Sequence, residues 1–471
     1  MRIPFRTSKN VLALGLPAAL ALYLVVVCRV GLSAKFAADD MMNLGTYLQR
    51  GWEQVAQGLA LFWSTFYRPM GGVFYLSLYE WFGLNPLPYR VVIYVIGLAN
   101  GLMVYRVARL LTGSRLTAWL AAMACGYHGH QPDIHYNTSS VYDVLCFFFY
   151  IAALLCYLEA RAQGRVLTKA RLVAVIALYL CALNSKEMAV SFPVAILAYE
   201  GFYHVKTLLR RQVTIPLALF VGITLIFVIG KTQGPGALTK MPAYRPVVTA
   251  GHYLERSAQY TNEAFYTTVF TKWNLFAFWA VWVYLAWRRP RPHLRFAWIF
   301  ALASPLPIAF IPGRGWGAAY IPLLGFSLLG ATLAHDAARF LSKEVLFRWV
   351  RLPRGFARVL MVGVASLVLS QRALSMGAEY TAALIESQNL TWTSIKEIEA
   401  FRLKVPRNGR VVFLKDPFEG FDIVFITWLV LNDPSIEVVQ ERRVGRTLTE
   451  EELAAAQAVL TFENGHYRRI R

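Results

Sequence analysis

Residues 11–43 read VLALGLPAALALYLVVVCRVGLSAKFAADDMMN. The apolar run from Val11 to about Leu32 can cross a bilayer core of ~30 Å at ~1.5 Å per residue. Just beyond it stand two adjacent carboxylates, Asp39 and Asp40, and before it stand Arg2, Arg6 and Lys9. A basic end before an apolar run is also the pattern of a signal peptide. This run is too long for a typical h-region, and Cys28-Arg29 makes a poor cleavage site. It reads as an uncleaved first span with its basic end in the cytoplasm.

The rest of the chain is of the same kind. Of its 471 residues, 57% are hydrophobic and 16% charged, and the mean hydropathy is +0.43. Soluble domains carry about 25% charged residues. The composition excludes a soluble enzyme, a disordered protein and a disulfide-stapled secreted module, and leaves a polytopic membrane protein. Cys28, Cys125, Cys146, Cys156 and Cys181 all sit in apolar runs without CxxC spacing, so neither a disulfide framework nor a metal site is expected. The net charge of +21 reads as basic loops that fix orientation, not as nucleic-acid binding.

Ten further apolar runs, at 89–109, 116–132, 141–158, 171–184, 188–203, 213–231, 264–287, 296–311, 318–334 and 356–374, bring the expected spans to about 11. If each crosses once, loops 106–115, 159–171, 204–212, 288–295 and 335–358 share one side. They hold Arg106/Arg109/Arg115, Arg161/Arg165/Lys169/Arg171, Lys206/Arg210/Arg211, Arg288/Arg289/Arg291/Arg295 and the run from Arg339 to Arg358. Every strongly basic short loop is then cytoplasmic. The stretch Met70–Leu84 is too short to span and reads as an interface helix, so 33–88 becomes one large external loop. Residues 1–374 form the transmembrane domain. From Ser375 the charges return. Gly409–Lys415 and Ile436–Gln440 read as strands, Phe421–Leu431 as a buried helix, Thr449-x-x-Glu452 as a capping box and Asn464-Gly465 as a hairpin turn. This makes 375–471 a small α/β domain, extracytoplasmic by the odd number of spans.

Four places carry chemistry. One carboxylate of Asp39-Asp40 can act as general base towards a hydroxyl, while the other holds it or binds a cation through oxygen. Two solvated acids capping a helix is the competing reading. Arg68, in Tyr67-Arg68-Pro69, can pair bidentately with a phosphate or anchor to headgroups. Lys186-Glu187 turns the chain between two runs of about 15 residues, each reaching only ~23 Å. The pair is therefore sunk below the outer surface, where ionisable groups are functional candidates. Arg314, between glycines in Pro312–Tyr320, repeats this logic. A nucleotide-loop reading of its GxGxG fails for want of a strand–helix context. His128, His130, Asp133, His135 and Asp143 tempt a zinc reading, but their spacing matches no usual ligand set, and hydrogen-bonding roles are expected.

In their order along the chain, these features resemble the GT-C superfamily of membrane glycosyltransferases that use polyprenyl-phosphate sugars, over Val11 to about Ser375. Asn184–Pro193 (NSKEMAVSFP), Tyr67-Arg68-Pro69 and Leu84-Asn85-Pro86 are similar to the O-mannosyltransferase-like and aminoarabinose-transferase-like branch. The small α/β tail departs from it.

The resemblance implies an all-α polytopic fold of the GT-C type and an inverting transfer, from an undecaprenyl-type lipid-phosphate sugar to an acceptor hydroxyl on a protein or an envelope glycan or lipid. It implies Asp39 as base, with Asp40 orienting it or holding Mg or Mn. Arg68, Lys186 and Arg314 would take the lipid phosphate, with Tyr320 adding a hydrogen bond. Asp133, His135, Asp143 and Glu187 would line the sugar or acceptor pocket. The expected setting is a bacterial inner membrane. A flippase or transporter, or a glycan ligase using lipid diphosphates, is the alternative; no inverted repeat supports transport.

Overall fold

In the computed structural model, residues 7–234, 237–288, 291–347 and 353–471 are described. Arg2, Arg6, Arg289 and positions 348–352 of the basic run lie outside them. The chain is an integral membrane protein: a helical bundle carrying a small sheet domain at its C-terminus. Among the described residues, six helices are long and apolar enough to cross a membrane alone: Gly15–Ser33, Pro86–Thr112, Thr138–Ala162, Arg211–Gln233, Tyr320–Glu344 and Gly355–Ala400.

The other expected spans are shorter helices, and the differences have local causes. The run 116–132 is helical only over Arg115–Gly126, and the chain turns away at Tyr127. The run 264–287 is broken. Tyr266 caps the helix Ala250–Phe265 in a left-handed conformation, φ 53°. Asn262 then holds both the amide and the carbonyl of Phe270 with its side chain, at 2.9 and 2.8 Å. Helix resumes only over Leu275–Arg288. The run 296–311 splits into Pro292–Ala303 and Leu306–Ala309 around Pro305.

The segment 33–88 folds as two helices, Ala38–Ala60 and Pro69–Phe82. The second has 14 residues, about 21 Å at ~1.5 Å per residue, too short to span.

A single helix of 47 residues, Arg354–Ala400, leads into the C-terminal domain. The composition change at Ser375 therefore falls inside a helix and marks no break in the backbone. The sheet has strands β1 (Arg410–Phe413), β2 (Glu437–Gln440), β3 (Ala458–Glu463) and β4 (His466–Arg469), in the order β2-β1-β3-β4. The first three are parallel and β4 is antiparallel to β3. The hairpin turn puts Asn464 at φ 54° and Gly465 at φ 85°, the two positive values a type I′ turn requires. Thr449 and Glu452 form the expected capping box.

The helix Asp422–Leu431 packs on Ala38–Ala60. Phe425 lies where a Cβ on Gly45 would meet it at 2.8 Å, so Gly45 permits the close approach. Tyr79 adds a hydrogen bond from its hydroxyl to the Leu429 carbonyl at 2.7 Å.

Candidate active site

The site is built around Arg68. Its backbone is left-handed, φ 47°, an unusual state for a residue with a side chain, costing about 1–3 kcal/mol. Three features hold it there. Pro69 starts the next helix at its first position. The Tyr47 hydroxyl lies 3.0 Å from the carbonyls of both Tyr67 and Arg68. Gly71 lets the Tyr142 ring approach to where a Cβ would stand, 2.1 Å away. The guanidinium then lies over the rings of Tyr67 and Tyr142 and donates to both Glu187 oxygens, at 2.9 and 3.4 Å.

Lys186 stands beside this pair. Its ammonium contacts both oxygens of Asp143 at 2.6 Å, and both side chains are about nine-tenths buried, 10% and 11% exposed. Arg68, Lys186, Glu187 and Arg314 line one cavity of about 440 Å³. Arg314 rests on the Tyr244 ring, 4.6 Å away.

A further cation on this cavity, Lys231, was not singled out by sequence reasoning. It donates to the Phe66 carbonyl at 2.8 Å. The signal was present: a lone Lys closes the uncharged run Val213–Gly230 at the end away from the basic loops. The cavity is thus lined by Arg68, Lys186, Lys231 and Arg314 against a single carboxylate, Glu187. Its remaining wall is largely apolar, with Val190, Val194, Phe227, Val228, Leu306 and Ile308.

Tyr320 and His135 do not line it. Tyr320 is 2% exposed, with its ring against Phe147 at 4.3 Å. His135 stacks on Tyr127, and its carbonyl accepts from Arg90. The remaining histidines of that loop are also engaged by the protein. His128 stacks on Tyr266, and His130 pairs with Glu263 at 2.6 Å.

The acidic pair divides. Asp39 is exposed and Asp40 fully buried, at the first turn of Ala38–Ala60. Asp40 accepts the Ala37 amide at 2.8 Å and the Tyr75 hydroxyl at 3.3 Å. Burial pushes its carboxyl up to about 7, against the opposing pull of the Ala37 amide and of Arg90. Asp39 faces other acids. It is among the charges that raise Asp133, after burial, and it adds to burial in raising Asp422. Asp133 lies beside Gly317, three residues from Arg314. Asp422 comes from the C-terminal domain and was also missed, because nothing in the sequence ties residue 422 to residue 39.

With Asp40 turned inward, the pair does not chelate. Among the described residues, no group of three His, Cys, Asp or Glu side chains could hold a metal ion. The Mg or Mn expected at Asp39-Asp40 finds no ligand set there, and no step below runs through a cation.

Asp40 carries a pH dependence. Unfolded, its pKa is about 3.9. The folded state binds the proton more tightly, so stability falls as pH rises from about 4 through about 7. Asp40→Asn should flatten the fall of melting temperature between pH 5 and pH 8. An unchanged slope would place the titration elsewhere.

No protein-family model matches the chain, and no curated protein sequence is significantly similar to it. Solved structures are. ArnT from Cupriavidus metallidurans, crystallised with undecaprenyl phosphate, superposes with a TM-score of 0.50 at 14% identity over 96% of each chain. The apo oligosaccharyltransferase of Archaeoglobus fulgidus gives 0.53 at 12% identity, over 92% of this chain and 65% of its own. Both are GT-C proteins. The chain has the GT-C fold. At these identities the likeness concerns architecture alone.

Proposed function

We propose that this GT-C chain is an inverting glycosyltransferase of the extracytoplasmic face of a bacterial inner membrane. It moves a sugar from a polyprenyl-phosphate-linked donor to an acceptor hydroxyl. The observation that carries the reading is the cavity, lined by four cations and an otherwise largely apolar wall, with Asp133 feeling the charges of both Asp143 and Asp39. A prenyl chain suits the apolar wall and a phosphate the cations. The undecaprenyl phosphate bound to ArnT supports a ligand of this class.

In the reaction, the acceptor oxygen attacks C1 of the sugar from the face opposite the phosphate. The new C1–O bond forms as the C1–O(phosphate) bond breaks. The hydroxyl proton passes to Asp39, and polyprenyl phosphate leaves. Its developing charge meets Arg314 and Lys231 directly. Arg68 and Lys186 are already held by Glu187 and Asp143, so they add a fixed, preorganised field. Asp40 keeps the turn that aims Asp39.

The test is sugar release from a radiolabelled panel of polyprenyl-phosphate monosaccharides by the purified protein. Turnover with one donor supports the reading. No turnover with any donor, with lipid-phosphate binding that needs Lys186 and Arg314, overturns it in favour of a flippase or ligase.

A narrower expectation concerns the two cations without carboxylate partners in the cavity. Arg314→Ala and Lys231→Met should each weaken undecaprenyl phosphate binding about tenfold, the loss of roughly one charge-assisted hydrogen bond. Titration calorimetry in detergent reads this. Unchanged affinity in both would move the phosphate out of the cavity.

A further inference from the structure

A second cavity lies apart from the one described above. It measures about 730 Å³ and lies between the helix Ala250–Phe265, the segment Thr267–Trp273 and the helix Arg354–Ala400 near Arg372 and Tyr380. Beneath it is a chamber of about 200 Å³ between the helices Arg115–Gly126, Tyr320–Leu341 and Arg354–Ala400. The two meet at Tyr266, which lines both. Neither shares a lining residue with the Arg68–Lys186 cavity.

The two chambers differ in chemistry. The upper one carries charges of both signs, Lys272 and Arg372 against Glu255 and Glu263, and an aromatic corner of Tyr266, His130 and Tyr380. At its rim Trp273 is 79% exposed with the Lys272 ammonium over its ring, an arrangement suited to a membrane–water boundary. The lower one is apolar, with Leu120, Phe326, Ala334, Ala365 and Leu369 in its wall. It follows the helix from Leu323 to Ala334, a depth of about 16 Å at ~1.5 Å per residue. Ser327 lines it, and its hydroxyl, buried in a residue 4% exposed, has no hydrogen-bond partner. An orphaned buried hydroxyl costs roughly 1–3 kcal/mol, and a ligand atom would relieve it.

We propose that this double chamber is a second lipid site, taking one chain of a zwitterionic phospholipid below Tyr266 and its head above. The phosphate meets Arg372 and Lys272. The head ammonium meets Glu255 and Glu263, with the Tyr266 and Tyr380 rings beside it. An anionic head leaves the two acids of the upper chamber unanswered, and a neutral sugar head leaves both signs unanswered. The chain ester has the Ser327 hydroxyl as a donor within the apolar chamber. The site is independent of sugar transfer, so its failure leaves the transferase reading untouched.

The experiment uses the full-length protein reconstituted in nanodiscs of phosphatidylethanolamine, phosphatidylglycerol and a diglycosyl lipid in equal parts. Native mass spectrometry counts the lipid retained on extraction, and a diazirine-bearing phosphatidylethanolamine maps its place. Phosphatidylethanolamine should be retained about tenfold over the other two, and label should fall on 323–334 and 365–369. Gly330→Leu fills the lower chamber and should cut retention about fivefold. At the exposed upper site Arg372→Ala should do the same, and it reads the proposal even if Gly330→Leu fails to fold. Equal retention of the three lipids overturns the proposal. So does label spread evenly over lipid-facing helices such as Arg211–Gln233 and unchanged in both variants.

Discussion

Asp39→Asn should leave the protein folded and lower turnover about 10³-fold, some 4 kcal/mol of transition-state stabilisation. The side chain is exposed, and exposed substitutions of this kind stay within about 0.5 kcal/mol of stability. Asparagine keeps the size and loses the proton-accepting charge, so the acceptor hydroxyl must attack without a base. Asp40→Asn is the control that separates chemistry from scaffolding. Asp40 is spent on the Ala37 amide and the Tyr75 hydroxyl; an amide side chain can keep the first with its oxygen and donate its NH2 to the Tyr75 oxygen. It should lose less than about tenfold. The reverse order, Asp40→Asn dead and Asp39→Asn active, would reassign the base. The measurement is single-donor turnover beside melting temperature for both variants.

Arg161→Met should destabilise the protein by about 3–5 kcal/mol, the usual result of stripping a partner from a buried charge. Glu200 is fully buried at 0% exposure. It receives two hydrogen bonds from Arg161, at 2.7 and 2.9 Å, and one from the Tyr157 hydroxyl at 3.0 Å. Removing the guanidinium leaves a carboxylate with one neutral donor. The double variant Arg161→Met/Glu200→Leu removes both charges and should recover most of the loss, since a well-packed apolar pair often matches a buried ion pair. Thermal unfolding in detergent reads both. A single variant within about 1 kcal/mol of wild type would show the pair to be solvated and weak. The effect belongs to stability: this pair closes the helix Val141–Ala162 at the end opposite Asp143.

How much of this was legible in the sequence depends on range. Local signals were strong. The strand Arg410–Phe413, the capping box of Thr449 and Glu452, and the Asn464-Gly465 turn each depend on a few neighbouring residues. Helix ends in the membrane were less legible, because hydropathy does not register a cap. Tyr266 and Asn262 stop a helix in the middle of an apolar run through backbone conformation and two side-chain hydrogen bonds. In the site, Arg68, Lys186 and Arg314 stood out as charges in apolar surroundings, and they do line one cavity. Lys231 was hidden at the edge of a span. The split of Asp39 from Asp40 follows from adjacent positions on a helix facing about 100° apart, but which one turns inward depends on Tyr75 and Arg90. Asp422 could not be placed from sequence at all.

The helix Arg354–Ala400 passes from the membrane into the sheet domain without interruption. Near its far end Glu397 holds the amide of Tyr467 at 2.7 Å. Nine residues earlier, Gln388 accepts the amide of Lys35, four residues before Asp39, at 3.1 Å. Its residue count is therefore a phase as well as a length. One residue inserted between Gly377 and Gln388 would turn everything beyond it by about 100° and lift it ~1.5 Å. Asp422 and Phe425 would then point away from the turn of Asp39. Evolution can lengthen most surface loops of such a chain freely, but along this helix additions that come in whole turns are the least disruptive.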